Sequence, residues 1–219
     1  MIISEAKPFQ EVIDSLKDYK KIFLVGCGDC ATLCKSGGEA ELKAIKEKLE
    51  AAGKTVTGMC LPEAVCVAAK LKAEMAKNIK SIREAEAFLV LACGLACQSV
   101  QANDRFGLRV IPANNTVFAG IMDGQGNFRE KCSLCAECVL DSTGGICPVT
   151  LCPKGMLNGP CGGVDKGKCE LDKENDCVWV LIYRELGKRG QLDKIRKNRP
   201  ARDFRKVLKP HKLAFAVQK

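Results

Sequence analysis

Fifteen of the 219 residues are cysteine and one is histidine. No other feature constrains the chain as much. Sulfur on this scale has to serve disulfides, core packing or metal ligation. An odd number cannot pair completely. The N-terminus, MIISEAKPFQEVIDSLKDYKK, is amphipathic and of mixed charge, unlike a signal peptide. The expected location is therefore the cytoplasm, where disulfides seldom persist. Thiolate ligation of metal is the use left for most of the cysteines. The lone His211 excludes sites built on several imidazoles and argues against a His-dependent hydrolase. No apolar run approaches the roughly 20 residues of a membrane span, so none is expected.

The pattern along the first half predicts an α/β fold. Phe9, Val12, Ile13 and Leu16 mark one face of a helix at 8–19. Residues 21–26 hold a continuous apolar run, as in a buried parallel strand. A helix at about 38–52 follows, ended by Gly53, then a strand at 54–59. Pro62 opens a helix reaching about residue 77, with Cys66 inside it as core packing. A strand at 87–92, a short helix near 96–106 and a fourth strand within 107–121 complete the series. Strands alternating with helices predict a flavodoxin/Rossmann-like parallel sheet covered on both faces. The expected organisation is an α/β domain at 1–128, a cysteine-rich metal-stapled domain at 129–180 and a basic helical tail at 181–219.

The cysteines of the α/β domain follow its strands. Cys27, Cys60 and Cys93 each stand just past a strand, at the edge where open parallel sheets place ligands. Cys30, Cys34 and Cys97 lie in the loops or first helical turns beyond. These six predict metal ligation at one crevice, more thiols than the four a [4Fe–4S] cluster takes. Gly26 and Gly28 flank Cys27, but Ala31 stands where a dinucleotide fingerprint carries its third glycine. The acidic ribose ligand is also missing, since Met59-Cys60 ends the second strand.

Residues 129–180 hold eight cysteines among many Gly and Pro. Cys132, Cys135 and Cys138 form C-x2-C-x2-C, a loop suited to one face of an iron–sulfur cubane. Cys147-Pro148 follows after eight residues rather than the three of bacterial ferredoxin motifs, so the surrounding fold must differ. Cys152, Cys161, Cys169 and Cys177 make a second set of four, open between a second cluster and zinc. With few large apolar residues in this stretch, some metal staple is expected whichever metal it is. The helical pattern at 176–190 puts Val178, Leu181, Ile182 and Leu186 on one face, with Trp179 and Tyr183 read as core packing beside it.

Charge is uneven. Residues 181–219 hold thirteen Lys/Arg against three Asp/Glu, while the rest of the chain is nearly neutral, giving +9 overall. Such a run is a solvated face, a dock for an acidic partner or a polyanion site. Few aromatics interleave it, which argues against nucleic acid.

The string Cys147-Pro-Val-Thr-Leu-Cys152-Pro-Lys154-Gly-Met-Leu-Asn158-Gly159-Pro160-Cys161-Gly162-Gly163, with Gly167-Lys-Cys169-Glu170 and Cys177-Val-Trp179 after it, is distinctive. It resembles the cysteine-rich domain of the methylenetetrahydrofolate reductase C-terminal family, the MetV-type small subunit of two-subunit reductases. The segment Gly26-Cys27-Gly28-Asp29-Cys30-Ala31-Thr32 looks like that family as well. The resemblance spans roughly residues 20–190. It implies an accessory subunit beside a TIM-barrel partner that holds flavin and reduces methylenetetrahydrofolate. This chain is too short for the usual barrel of about 250 residues. Its implied role is to bring electrons to that flavin through one or more [4Fe–4S] clusters, with zinc in one four-cysteine site as an option. No catalytic residue is expected here, and flavin is expected on the partner only. The basic tail would dock that partner or a ferredoxin-like donor. Two other classes stay open. One is a zinc-stapled structural or regulatory module without redox activity, and the other is a zinc-ribbon nucleic-acid binder, which the near-neutral body disfavours.

Overall fold

The apolar run after Lys21 becomes the centre of a parallel sheet. Ile22, Phe23, Leu24 and Val25 are all fully buried. The computed structural model describes residues 1–213, and the chain divides into two units, Met1–Gly120 and Ile121–Lys219. The first contains β1 (Ile2–Ala6), α1 (Phe9–Ser15), β2 (Lys21–Val25), α2 (Cys30–Leu33), α3 (Glu39–Ala51) and β3 (Thr55–Cys60). It continues with α4 (Ala68–Lys77), α5 (Ile79–Glu84), β4 (Ala87–Val90), α6 (Gly94–Asn103), β5 (Arg109–Pro112) and β6 (Asn114–Met122).

Four strands form a parallel sheet in the order β3-β2-β4-β5. Successive side chains of a strand point to opposite faces, and each face has its own core. Phe23, Val25, Phe88 and Val90 pack with Leu71 and Met75 of α4, Ile82 of α5 and Val100 of α6. Ile22, Leu24, Ala87 and Leu89 pack with Val12 and Leu16 near α1 and with Leu42 and Leu49 of α3. Phe23 and Phe88 meet edge to face, with ring centroids 5.9 Å apart. Gly53 ends the chain's turn after α3 at a φ of +77°, a conformation that favours glycine. The expected parallel sheet covered on both faces is therefore present.

Several details differ. The helix expected from Pro62 begins only at Ala68. Residues 62–67 are held by tertiary bonds instead: the Pro62 carbonyl accepts from Gly28 N, and the Val65 carbonyl from Ser99 Oγ. Cys66 is exposed on that irregular stretch, so its expected place in a helix core is corrected. The single strand expected within 107–121 is two, parallel β5 and then β6, which pairs antiparallel with β1. β1 itself was not expected. It pairs with β6 apart from the parallel sheet.

In the second unit, a turn at Asp123–Asn127 leads into β7 (Phe128–Cys132), followed by α7 (Pro148–Leu151) and α8 (Val178–Lys188). The Asp123 carboxylate accepts from the backbone N–H groups of Gln125 and Asn127 and from Arg129. These donors hold its pKa down to about 2. The helical tail is corrected. Beyond Lys188 the described residues contain two short 3-10 turns, Leu192–Arg196 and Phe204–Val207, and no α-helix. Like charges four apart and Pro200 both oppose one. Residues 214–219 of that tail lie outside the described residues.

Candidate metal centres

Strand register sets up the first group of thiols. Val25 at the end of β2 stands opposite Cys60 of β3 and Val90 of β4. Cys27 and Cys93 come two and three residues past those partners, so three cysteines reach one sheet edge. Cys27 and Cys60 are buried in the apolar cluster of Phe23 and Phe88, and Cys93 and Cys97 pack against it. Cys30 opens α2, and Cys34 follows it with its thiol 4.0 Å from the Ile2 carbonyl. Burial pushes the Cys60 thiol up to about 12 and the Cys97 thiol up to about 11; it raises Cys30 as well. Ionising such thiols requires a cation to replace lost solvation.

The glycines beside Cys27 serve this packing. A Cβ on Gly26 would lie 2.6 Å from the Gly37 carbonyl oxygen. The amides of Gly26, Cys27 and Gly28 bond the carbonyls of Cys60, Gly37 and Pro62 at 2.9–3.0 Å. Those donors are spent on neighbouring chain segments, which leaves no phosphate cradle at this turn.

In the second unit, Cys132, Cys135 and Cys138 lie on a tight loop. Leu134 and Ala136, both non-glycine, adopt φ of 52° and 56°. Alternation of left- and right-handed residues turns successive backbone amides inward, and the Leu134 N–H donates to Cys132 Sγ at 3.4 Å. Thr150 on α7 ties in Cys147. Its hydroxyl accepts from Ser133 N at 3.0 Å and lies 3.6 Å from Cys147 Sγ. One threonine thus joins the loop between Cys132 and Cys135 to Cys147. Nothing in the sequence marks Thr150 beyond its place inside the Cys147–Cys152 string.

The other four thiols share a cavity. Cys152, Cys161, Cys169 and Cys177 line a space of about 560 Å³ together with Trp179 and Lys154. The Cys161 thiol donates to Glu170 Oε2 at 3.3 Å, and Lys154 Nζ donates to the same oxygen at 2.5 Å. Lys154 and Cys161 hold the Glu170 carboxyl below its usual range. A Cβ on Gly163 would lie 2.0 Å from that oxygen, so this glycine makes room for the carboxylate. α8 closes the inner side. Val178, Trp179, Ile182 and Leu186 are buried, and Trp179 Nε1 donates to the Met156 carbonyl at 2.9 Å. Tyr183, expected to pack beside Trp179, is 56% exposed. His211 is exposed.

All fifteen cysteines are free thiols. Among the described residues, no three Cys, His, Asp or Glu side chains already converge on one ion-sized point. The donor chemistry suits a thiolate-bound metal or cluster. A buried donor without a partner beside the C-x2-C-x2-C loop, Arg202 Nε, suits an anionic thiolate centre there. The fifteenth cysteine stands apart. Exposed Cys66 is expected to react with a thiol reagent in the folded, metal-loaded chain, where it is not among the proposed ligands, and buried Cys60 to resist until unfolding. Mass mapping after brief alkylation checks this order, and equal labelling of both would contradict the burial described.

No helix among the described residues is long and apolar enough to cross a membrane. No curated protein and no solved structure matches the chain. A family model does match, over residues 111–205, which take in all eight cysteines of the second unit. The resemblance read in Gly26–Thr32 lies outside that span. That model is described as methylene-tetrahydrofolate reductase C terminal, and residues 111–205 of the chain are similar to it.

Proposed function

We propose that this chain is an iron–sulfur accessory subunit that passes electrons to a flavin-containing methylenetetrahydrofolate reductase partner. The family match carries the reading, because it covers all eight cysteines of the second unit, four of which line one cavity. Cys132, Cys135, Cys138 and Cys147 would hold one cluster. Cys152, Cys161, Cys169 and Cys177 would hold a second cluster or a zinc ion. Cys27, Cys60, Cys93 and Cys97 would hold a further cluster at the sheet edge, with Cys30 and Cys34 next to it. A bound [4Fe–4S] cluster exchanges electrons one at a time. The chain's own residues set the environment for that exchange. The Leu134 amide donates to a ligand sulfur, Thr150 fixes two ligand segments to each other, and the Phe23–Phe88 core lowers the dielectric at the sheet edge. Folate chemistry is assigned to the flavin-containing barrel partner. Electrons would come from a ferredoxin-like donor.

The test is metal analysis of anaerobically purified chain, followed by EPR after dithionite reduction and by mixing with the flavin subunit. Iron in multiples of about four per chain, with equal sulfide, is expected. The reduced chain should then bleach the partner's flavin. Zinc alone in anaerobic material would overturn the electron-transfer role and leave a structural module.

A further inference from the structure

The basic segment after α8 is largely committed to the second unit itself. Four of its cations bind the loop that carries Cys135 and Cys138. Lys194 Nζ donates to the Asp141 carbonyl at 3.0 Å. Arg199 Nη2 donates to the Val139 carbonyl at 3.4 Å and also bonds the Ser142 hydroxyl. Arg202 Nη2 donates to the Cys135 carbonyl at 3.4 Å, and Lys206 Nζ reaches Glu137 Oε1 at 3.2 Å. A clasp holds the strap in register: Asn158 Oδ1 accepts from Arg199 N at 2.8 Å, and Asn158 Nδ2 donates to the Arg199 carbonyl at 3.1 Å. The family match runs on past the last cysteine to residue 205, so it includes Arg199 and Arg202.

Arg202 differs from the other three cations. Its Nε–H is buried and has no partner, although its guanidinium lies beside the cysteine loop. A buried donor on a charged group left unpaired is costly. Glu137 on the same loop is engaged by Lys206 through Oε1 rather than by Arg202. A donor and a positive charge therefore stand at the backbone of Cys135, on the loop whose three thiols would become anionic on binding metal. We propose that Arg202 is a positioning residue for the centre held by Cys132, Cys135, Cys138 and Cys147, where its charge and free N–H offset the thiolates. This rests on the metal reading given above. The rest of the strap serves to hold Arg202 in place.

The test compares full-length wild type, Arg202→Gln, Arg202→Lys and Cys138→Ser. Metal release to a chelator and, for iron, the midpoint potential are measured in each. Arg202→Gln is expected to release metal from this centre roughly 10- to 100-fold faster, the usual cost of losing a partner behind the ligands. Its potential should fall, since removing a positive charge disfavours the added electron. Arg202→Lys should restore much of the potential while release stays faster than wild type, because charge returns without the planar fork. Cys138→Ser identifies the metal belonging to this centre. If Cys138→Ser keeps all the metal of wild type, the metal reading at this loop fails. If it loses a centre while Arg202→Gln matches wild type in release and potential, the role of Arg202 alone is overturned.

Discussion

Gly37→Ala is expected to destabilise the first unit by about 3 kcal/mol or more, the range of severe overpacking. A Cβ at Gly37 would lie 1.6 Å from the Leu91 carbonyl oxygen and 2.7 Å from its carbon. Those are backbone atoms, so no rotamer change relieves the clash. Leu91 is anchored through its own N–H to the Val25 carbonyl at 2.8 Å, and Gly37 offers its carbonyl to Cys27 N. Moving either segment shifts the ends of β2 and β4, where Cys27 and Cys93 begin. The substitution should therefore lower the urea midpoint and, on the proposed metal reading, weaken metal retention by the sheet-edge thiols. Gly53→Ala is the control. Its φ is +77° but open space surrounds it, so only about 1 kcal/mol is expected. A Gly37→Ala chain as stable as wild type would show that the strand ends are not packed as described.

The parallel sheet was legible because its signal is local. Residues 22–25 and 87–90 are short apolar runs, fully buried on both faces, and each is followed by cysteine. β1 escaped because Ile2–Ala6 has only Ile3 and Ser4 buried, and its pairing to β6 spans more than a hundred residues. Cys66 escaped because tertiary bonds from Gly28 and Ser99 override the helix that Pro62 announces. Spacing arranged the eight cysteines of the second unit in two fours; Cys152, Cys161, Cys169 and Cys177 line one cavity, and Thr150 lies between Ser133 and Cys147. The strap was not legible at all. A run of Lys and Arg reads as a solvated face or a dock, and nothing local marks which arginine turns back onto a cysteine loop.

The larger effect is expected from removing metal. The second unit has a core of Cys177, Val178, Trp179, Ile182 and Leu186. Its 121–213 stretch is otherwise loops, two short α-helices and one short strand. A five-residue core with half-buried neighbours cannot offset the conformational entropy of some ninety residues. The first unit has two full cores and needs no such help. Structural thiolate sites contribute about 10–16 kcal/mol in small zinc-dependent folds, so stripping should unfold the second unit and spare the first. Trp179 reads this out cleanly, because it is the chain's one tryptophan and lies in the second unit. It is 6% exposed, with its indole N–H bonded to the Met156 carbonyl. Chelation under reducing conditions should shift its emission to longer wavelength and abolish a cooperative tryptophan transition. Far-UV circular dichroism should keep a cooperative transition from the α/β unit. Returning metal and, where needed, sulfide should restore the emission. A stripped chain that retains blue-shifted emission and a cooperative transition would mean that the α8 core stands without metal. The cysteines of the second unit would then have to be explained by redox work alone rather than by folding.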